Sequence, residues 1–216
     1  ETFELSELVR YSLLKEKFTE FKAEFINSND KYTSNGNINW KDKVKGQGIL
    51  PPKSAAEIEC KLLESRWNNI YDLLKSIEPL RDHVLDIENE SIRILLSNEM
   101  VLTFEIGKLK IKTIMSTWLK HLYVCAYHKF PRKTIVMSRG TSRMGPNTYN
   151  KSLEFNSINK EEAKSLLKSI NSLAKQGLKT CWPVPPNSGW ELCKANHLKK
   201  SSYTEIFKKR WEGGYK

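Results

Sequence analysis

A mixed α/β domain, with a small central sheet flanked by helices, is the fold this 216-residue sequence predicts. Three observations carry that reading. Apolar residues recur at helical spacing in the first quarter of the chain and again after Ser54. At His83 the period shortens to that of extended chain. It becomes helical again at Ile114 and, for a last long stretch, after Asn159. The resulting order is helices, then β-hairpins, then helix, strand and helix, which fits one sheet with helices packed against it.

Leu5, Leu8 and Val9, then Leu13, Leu14, Phe18, Phe21 and Phe25, give one or two helices between residues 5 and 26. Residues 27–48 are rich in Asn, Gly and Lys around the lone aromatics Tyr32 and Trp40, and read as a long surface loop or linker. Pro51-Pro52 introduces a helix that begins near Ser54 and runs through Ile58, Leu62, Trp67, Ile70 and Leu74 to a stop at Pro79. The chain therefore divides into a helical segment with a polar loop, residues 1–47, and an α/β domain, residues 48–216. Residues 83–88, 91–97, 100–106 and 108–113 are four consecutive short strands, with turns at Glu88-Asn89 and Ser97-Asn98. A helix over 114–127 follows, then a strand over 133–138, a loop over 141–150 containing Gly145-Pro146, and a short strand at 153–155. Asn159, with Glu161 and Glu162 behind it, caps a helix through Leu166, Leu167, Ile170 and Leu173 to Gly177. Beyond the proline-rich residues 183–186, one or two short helices complete the chain. An opening Glu1 without methionine reads as a fragment of something longer.

Charge is the strongest functional signal. Between Glu105 and Glu154 there is no carboxylate, against ten cations: Lys108, Lys110, Lys112, Lys120, Lys129, Arg132, Lys133, Arg139, Arg143 and Lys151. An ordinary solvated face would mix both signs. Residues 1–100 have a balance of −4 and residues 101–216 one of +15, within a total of +11. Such asymmetry implies an anionic partner, nucleic acid or a charged membrane surface. No run approaches the roughly 20 apolar residues of a membrane span, and no signal peptide opens the chain. Cys60, Cys125, Cys181 and Cys193 lack CxxC spacing, which fits reduced thiols in the cytoplasm.

Within the cationic run, Lys108, Lys110 and Lys112 alternate with Leu109 and Ile111. In a strand the three lysines would share one side, a ridge suited to a phosphate backbone or simply to a charge-protected edge. His121 and Cys125 share a helix face at i, i+4, and Cys181, Cys193 and His197 form a second loose set. Neither reaches a four-ligand spacing, and core cysteines beside a hydrogen-bonded histidine explain both, so no metal is assigned. Trp182, Trp190 and Trp211 lie among prolines and glycines, where they pin loops to a core or stack on bases. Nuclease chemistry needs a carboxylate on one strand and (D/E)-x-K on the next. The three E-x-K matches, Glu20/Lys22, Glu59/Lys61 and Glu162/Lys164, fall on predicted helices, where i and i+2 face apart. Asp86 or Glu88 with Glu105 and Lys108 is the remaining, imperfect set. GxSxG, P-loop and HExxH motifs are absent.

Several stretches, in order across nearly the whole chain, resemble the C-terminal region of the exodeoxyribonuclease V gamma chain family, the RecC subunit of the RecBCD helicase–nuclease. They are Phe3-Glu4-Leu5 with Leu8-Val9, Gly48-Ile49-Leu50-Pro51-Pro52 with Glu57, and Trp118-Leu119-Lys120-His121-Leu122. Pro183-Val184-Pro185-Pro186 with Trp190 and Phe207-Lys208-Lys209-Arg210-Trp211-Glu212-Gly213-Gly214 complete the set. The resemblance implies a PD-(D/E)xK restriction-endonuclease-like fold without an active site, non-catalytic in itself. It implies DNA as partner, both duplex fork and single strands, and RecB-like and RecD-like subunits that supply the ATP and Mg²⁺ chemistry. It implies a role in splitting duplex DNA and guiding strands during repair and recombination. On this reading Lys108, Lys110, Lys112, Arg132, Lys133, Arg139 and Arg143 form the DNA-contacting surface, with no catalytic residue, metal ligand or cofactor. Leu13-Leu14-Lys15 stands where the family often has a proline. A purely structural protein-interaction scaffold and a residual Mg²⁺-dependent nuclease are the competing readings.

Overall fold

A computed structural model describes residues 5–27, 44–52, 54–77, 80–87, 90–97, 100–129, 132–140, 148–180, 189–190 and 193. Four helices and five strands make up the described fold. They are α1 (Glu7–Asn27), α2 (Ser54–Lys75), β1 (Arg81–Ile87), β2 (Glu90–Leu96), β3 (Met100–Lys108), α3 (Ile111–Tyr127), β4 (Lys133–Arg139), β5 (Tyr149–Phe155) and α4 (Lys160–Gly177). The strands form one sheet in sequence order. β1–β2, β2–β3 and β4–β5 are antiparallel, and β3–β4 is parallel, with α3 as its crossover. The mixed α/β architecture expected from the sequence is the one found.

Alternation along the strands sorts residues to two faces. Leu102, Phe104 and Ile106 of β3, with Ile135 and Met137 of β4 and Tyr149 of β5, meet α1 and α2. There Leu13, Leu14, Phe18 and Phe21 of α1 pack with Leu63, Trp67, Ile70 and Leu74 of α2. The first helix thus shares its core with the sheet. Val44, ahead of the left-handed turn at Gly48 (φ 67°), is buried in the same cluster. The opposite face carries Leu85, Ile87, Ile94 and Val101 against Val124 of α3. A third cluster, Leu122, Cys125, Ala126 and Ala163, seats α4 on α3.

Local signals explain the helix starts. Ser6 Oγ accepts from Val9 N at 3.3 Å and Glu7 lies in the first turn, a cap and a favourable charge for α1. Asn159 caps α4 as its sequence implied, accepting from Glu161 N at 3.0 Å. One run departs from the sequence reading. Residues 108–113 are not a strand, because β3 ends at Lys108 and α3 already begins at Ile111. Ile111 fits both an alternating and a helical pattern, and the longer stripe through Ile114, Trp118, His121, Leu122 and Cys125 prevails. The last strand is also longer than its sequence suggested. Tyr149 and Asn150, read as loop, pair with Arg139 and Ser138 of β4, and Tyr149 Oη donates to Ile106 O at 2.8 Å. Much of the linker at 28–43, the loop residues 141–147, the turns at Glu88-Asn89 and Ser97-Asn98 (beyond Ser97 itself), the stop at Pro79 and the terminal short helices lie outside the described residues (Trp190 and Cys193 apart).

Candidate nucleic-acid interface

The cations of the central run divide between two ends of the sheet. In the parallel pair, Met100 aligns with Lys133 and Lys108 with Arg139. At about 3.3 Å per residue the two ends are roughly 20 Å apart, beyond a Debye length of about 8–10 Å. Lys108, Lys110 and Arg139 therefore lie at one end, with Arg132 and Lys133 at the other. Lys108, Lys110 and Lys112 are all exposed, but they do not form a strand ridge. Lys108 closes β3, Lys110 occupies the N-cap of α3 without a side-chain cap bond, and Lys112 lies in the first helical turn. Three lysines thus surround the N-terminal end of a helix whose first turn has no acidic residue.

Arg139 and Arg132 are engaged within the protein. Arg139 Nη1 donates to Glu7 Oε2 at 2.5 Å, joining β4 to α1. Glu7 also accepts from Arg66 Nη2 and from Arg10 Nη1, each at 3.0 Å. Hydrogen bonds from Arg66, Arg139 and Arg10 outweigh partial burial and hold the Glu7 carboxyl down at about 2. Arg10 completes the cluster by a fork on buried Glu59, Nε to Oε2 at 2.9 Å and Nη2 to Oε1 at 2.5 Å. Arg132 Nη1 donates to Ser97 O at 2.6 Å, fastening the start of β4 to the end of β2. Lys133 Nζ lies 4.0 Å from Glu154 Oε1. Arg143 lies outside the described residues.

The carboxylates considered for a nuclease do not converge. Leu85 and Ile87 face α3, so Asp86 between them points to the other side of the sheet. Glu105, at the irregular end of β3, is held from α3 and from its own strand: Oε2 accepts from Thr113 Oγ1 at 2.9 Å and Oε1 from Gly107 N at 3.1 Å. Tyr11 of α1 hydrogen-bonds the same carboxylate, and burial together with that negative charge pushes its phenol up. Glu88 lies outside the described residues, and Gly107 stands two positions after Glu105. The E-x-K pairs Glu20/Lys22, Glu59/Lys61 and Glu162/Lys164 do lie on α1, α2 and α4. Among the described residues no three His, Cys, Asp or Glu side chains gather as a metal site.

His121 is a core residue. Its ring is fully buried between Trp118 and Phe155, with centroids 5.4 and 5.6 Å away. Nδ1 is 2.9 Å from Thr134 Oγ1, and Cys125 Sγ lies 3.6 Å from Nε2. Burial pushes the imidazole down and the Cys125 thiol up, so both stay neutral. Cys181, His197, Trp182 and Trp211 lie outside the described residues, while Cys193 is exposed and Trp190 half-buried.

Sequence reasoning missed one cationic feature. β2 pairs with β3 only through Leu95 and Leu96, and the strands then part. A cleft of about 340 Å³ opens there, lined by Lys22 of α1, Arg93 of β2 and Lys120 of α3 with Asp82. No local motif could have revealed it, because its cations come from three separated elements.

A five-stranded mixed sheet between helices, with lysines around the crossover helix, defines the protein as a mixed α/β domain with a cationic rim. The family model for the RecC C-terminal domain matches residues 1–197, and the chain belongs to that family. A RecBCD-type role in DNA repair and recombination, as part of exodeoxyribonuclease V, follows from that membership. Among curated proteins the chain has no match. Among the described residues no helix is long and apolar enough to cross a membrane.

Proposed function

We propose that the domain is a non-catalytic DNA-binding and subunit-docking element of a cytoplasmic RecBCD-type helicase–nuclease. It helps split duplex DNA and guides single strands, while RecB-like and RecD-like partners use ATP and Mg²⁺. The observation that carries this reading is the placement of Lys108, Lys110 and Lys112 around the start of α3. The positive end of a helix dipole disfavours cations and favours anions. Lysines gathered there repel the helix end and one another until a phosphate arrives, and phosphate contacts position DNA without reading its sequence. The same reading takes the fold as restriction-endonuclease-like with a vacated site. Its strand β3 offers Glu105-Ile106-Gly107, in which the lysine of (D/E)-x-K is replaced and the carboxylate is bound to Thr113 and Gly107.

The test is fluorescence anisotropy of labelled forked and blunt duplexes across a salt series, for wild type and a Lys108→Gln/Lys110→Gln/Lys112→Gln variant. Tighter binding to the fork is expected. The variant should lower the slope of log K against log salt by about 0.9 for each phosphate it no longer neutralises. An unchanged slope refutes the lysine assignment. A scaffold that binds only protein is the second reading, favoured by the inward engagement of Arg139 and Arg132. Absence of DNA binding at low salt selects it.

A further inference from the structure

α4 is incompletely covered. Of its eighteen residues only Ala163 is fully buried; along its apolar stripe Leu166, Leu167 and Ile170 are half-buried against the α3 cluster and Leu173 is exposed. Beside it, α3 exposes Leu119 and Tyr127. Between the two helices runs a groove of about 650 Å³, walled by Leu119, Tyr123 and Tyr127 on α3 and by Leu167, Ile170 and Ala174 on α4, with Ile87 of β1 at its margin. Its residues follow helical spacing on both walls: 119, 123 and 127 on one, and 164, 167, 168, 171 and 174 on the other. At 1.5 Å per residue the α4 wall is about 15 Å long, three helical turns.

Charge identifies the occupant. Lys168 and Lys164, the latter 3.9 Å from Glu161 Oε1, stand in the lining, and among the described residues no carboxylate does. α3 contains no acidic residue, and those of α4, Glu161 and Glu162, are confined to its first turn. Two apolar stripes with a lysine edge match a helix that has one apolar and one acidic face. A second copy of the domain would bring another lysine-edged α4. The chain's own residues 181–216, with seven Lys and Arg against three Glu, carry the same net sign as the groove. Single-stranded DNA fits the lysines but not the aliphatic floor. The two tyrosines already stack on each other, with centroids 6.2 Å apart at 27°, which leaves little ring face for bases.

We propose that the α3–α4 groove docks an acidic amphipathic helix, about three turns long, from a partner subunit. The proposal rests on the subunit-docking reading above and gives it a location. Lys164 and Lys168 set the helix's orientation, and Tyr123, Tyr127, Leu167 and Ile170 bury its apolar face.

The intact protein would be titrated with its purified partner subunits, as wild type, as Lys164→Glu/Lys168→Glu and as the distant control Lys61→Glu/Lys75→Glu, two exposed positions on α2. Hydrogen exchange of α3 and α4 would be followed in each mixture. Expected is assembly by wild type and control, at least about tenfold weaker assembly by the groove variant, and slowed exchange along residues 164–174 in the complex. Wild type and groove variant assembling equally, or exchange there unaltered, overturns the groove assignment and leaves the subunit reading standing. Wild type failing to assemble overturns both. Protection of the groove by a dT oligonucleotide in place of the partner also overturns the proposal.

Discussion

Glu59→Ala is expected to destabilise the domain by about 3 kcal/mol, roughly 150-fold in the folding equilibrium. Glu59 and Arg10 are nearly sealed from solvent, their side chains 6% and 12% exposed, so screening by water is slight. The substitution removes both arms of the fork from Arg10, charge-assisted bonds worth about 1.5–3 kcal/mol each. It also removes the long 3.4 Å bond from Leu5 N. Arg10 keeps its bond to Glu7 at 3.0 Å, which offsets part of the loss. Urea unfolding followed by far-UV circular dichroism reads the effect directly. With a slope of about 2–3 kcal/mol per molar urea, the midpoint should fall by about 1–1.5 M. Arg10→Met/Glu59→Met, which removes both charges together, should lie much nearer wild type, because no ion is left stranded. A midpoint shift below about 0.2 M for Glu59→Ala, or a double variant less stable than the single one, would refute the argument.

Other consequences are open to measurement. Glu7 titrates near 2 in the fold against its ordinary 4.5, so its contribution is whole above about 4.5 and fades as pH falls toward 2. Glu7→Gln should flatten that part of the stability-versus-pH curve, by no more than about 1 kcal/mol since Glu7 is half exposed. His121→Ala should cost about 2–4 kcal/mol by opening a cavity between Trp118 and Phe155 and stranding Thr134, seen as a lowered melting temperature. Because this ring stays neutral in the fold and charges in the unfolded chain, wild-type stability should fall as pH drops below 6.5, and the drop should be shallower in the variant. Glu105→Ala should cost about 1–2 kcal/mol through Thr113 and Gly107. Linear DNA should remain uncut by either form in Mg²⁺ or Mn²⁺, and cleavage that disappears with Glu105 would reinstate the nuclease reading.

The fold was legible wherever one period ran long enough. α2 and α4 follow uninterrupted helical stripes, and Asn159 marks a start by its side chain alone. Residues 108–113 misled because Leu109 and Ile111 alternate with lysines over too short a window to separate strand from helix. β5 was hidden because Asn150, Lys151 and Ser152 break its alternation, and its pairing is fixed instead by β4 and the Tyr149 hydroxyl. The charge asymmetry singles out Lys108, Lys110, Lys112 and Arg139 alike, and cannot tell the exposed lysines from an arginine facing a carboxylate 132 residues away. The cleft of Lys22, Arg93 and Lys120 and the α3–α4 groove exist only after distant elements meet.

That separation of 132 residues between Glu7 and Arg139 has a consequence for how the domain is made. α1 is synthesised before its partners in β4 and β5. At 5–20 residues per second, Leu13, Leu14, Phe18 and Phe21 wait roughly 7–26 s for the sheet that covers them. α2 arrives earlier, bringing Glu59, Arg66 and Trp67, so a two-helix hairpin held by the arginine–glutamate cluster can shelter those side chains until then. The pairs Arg10–Glu59 and Arg66–Glu7 need only α1 and α2, so the clasp can close before β4 adds Arg139 to it.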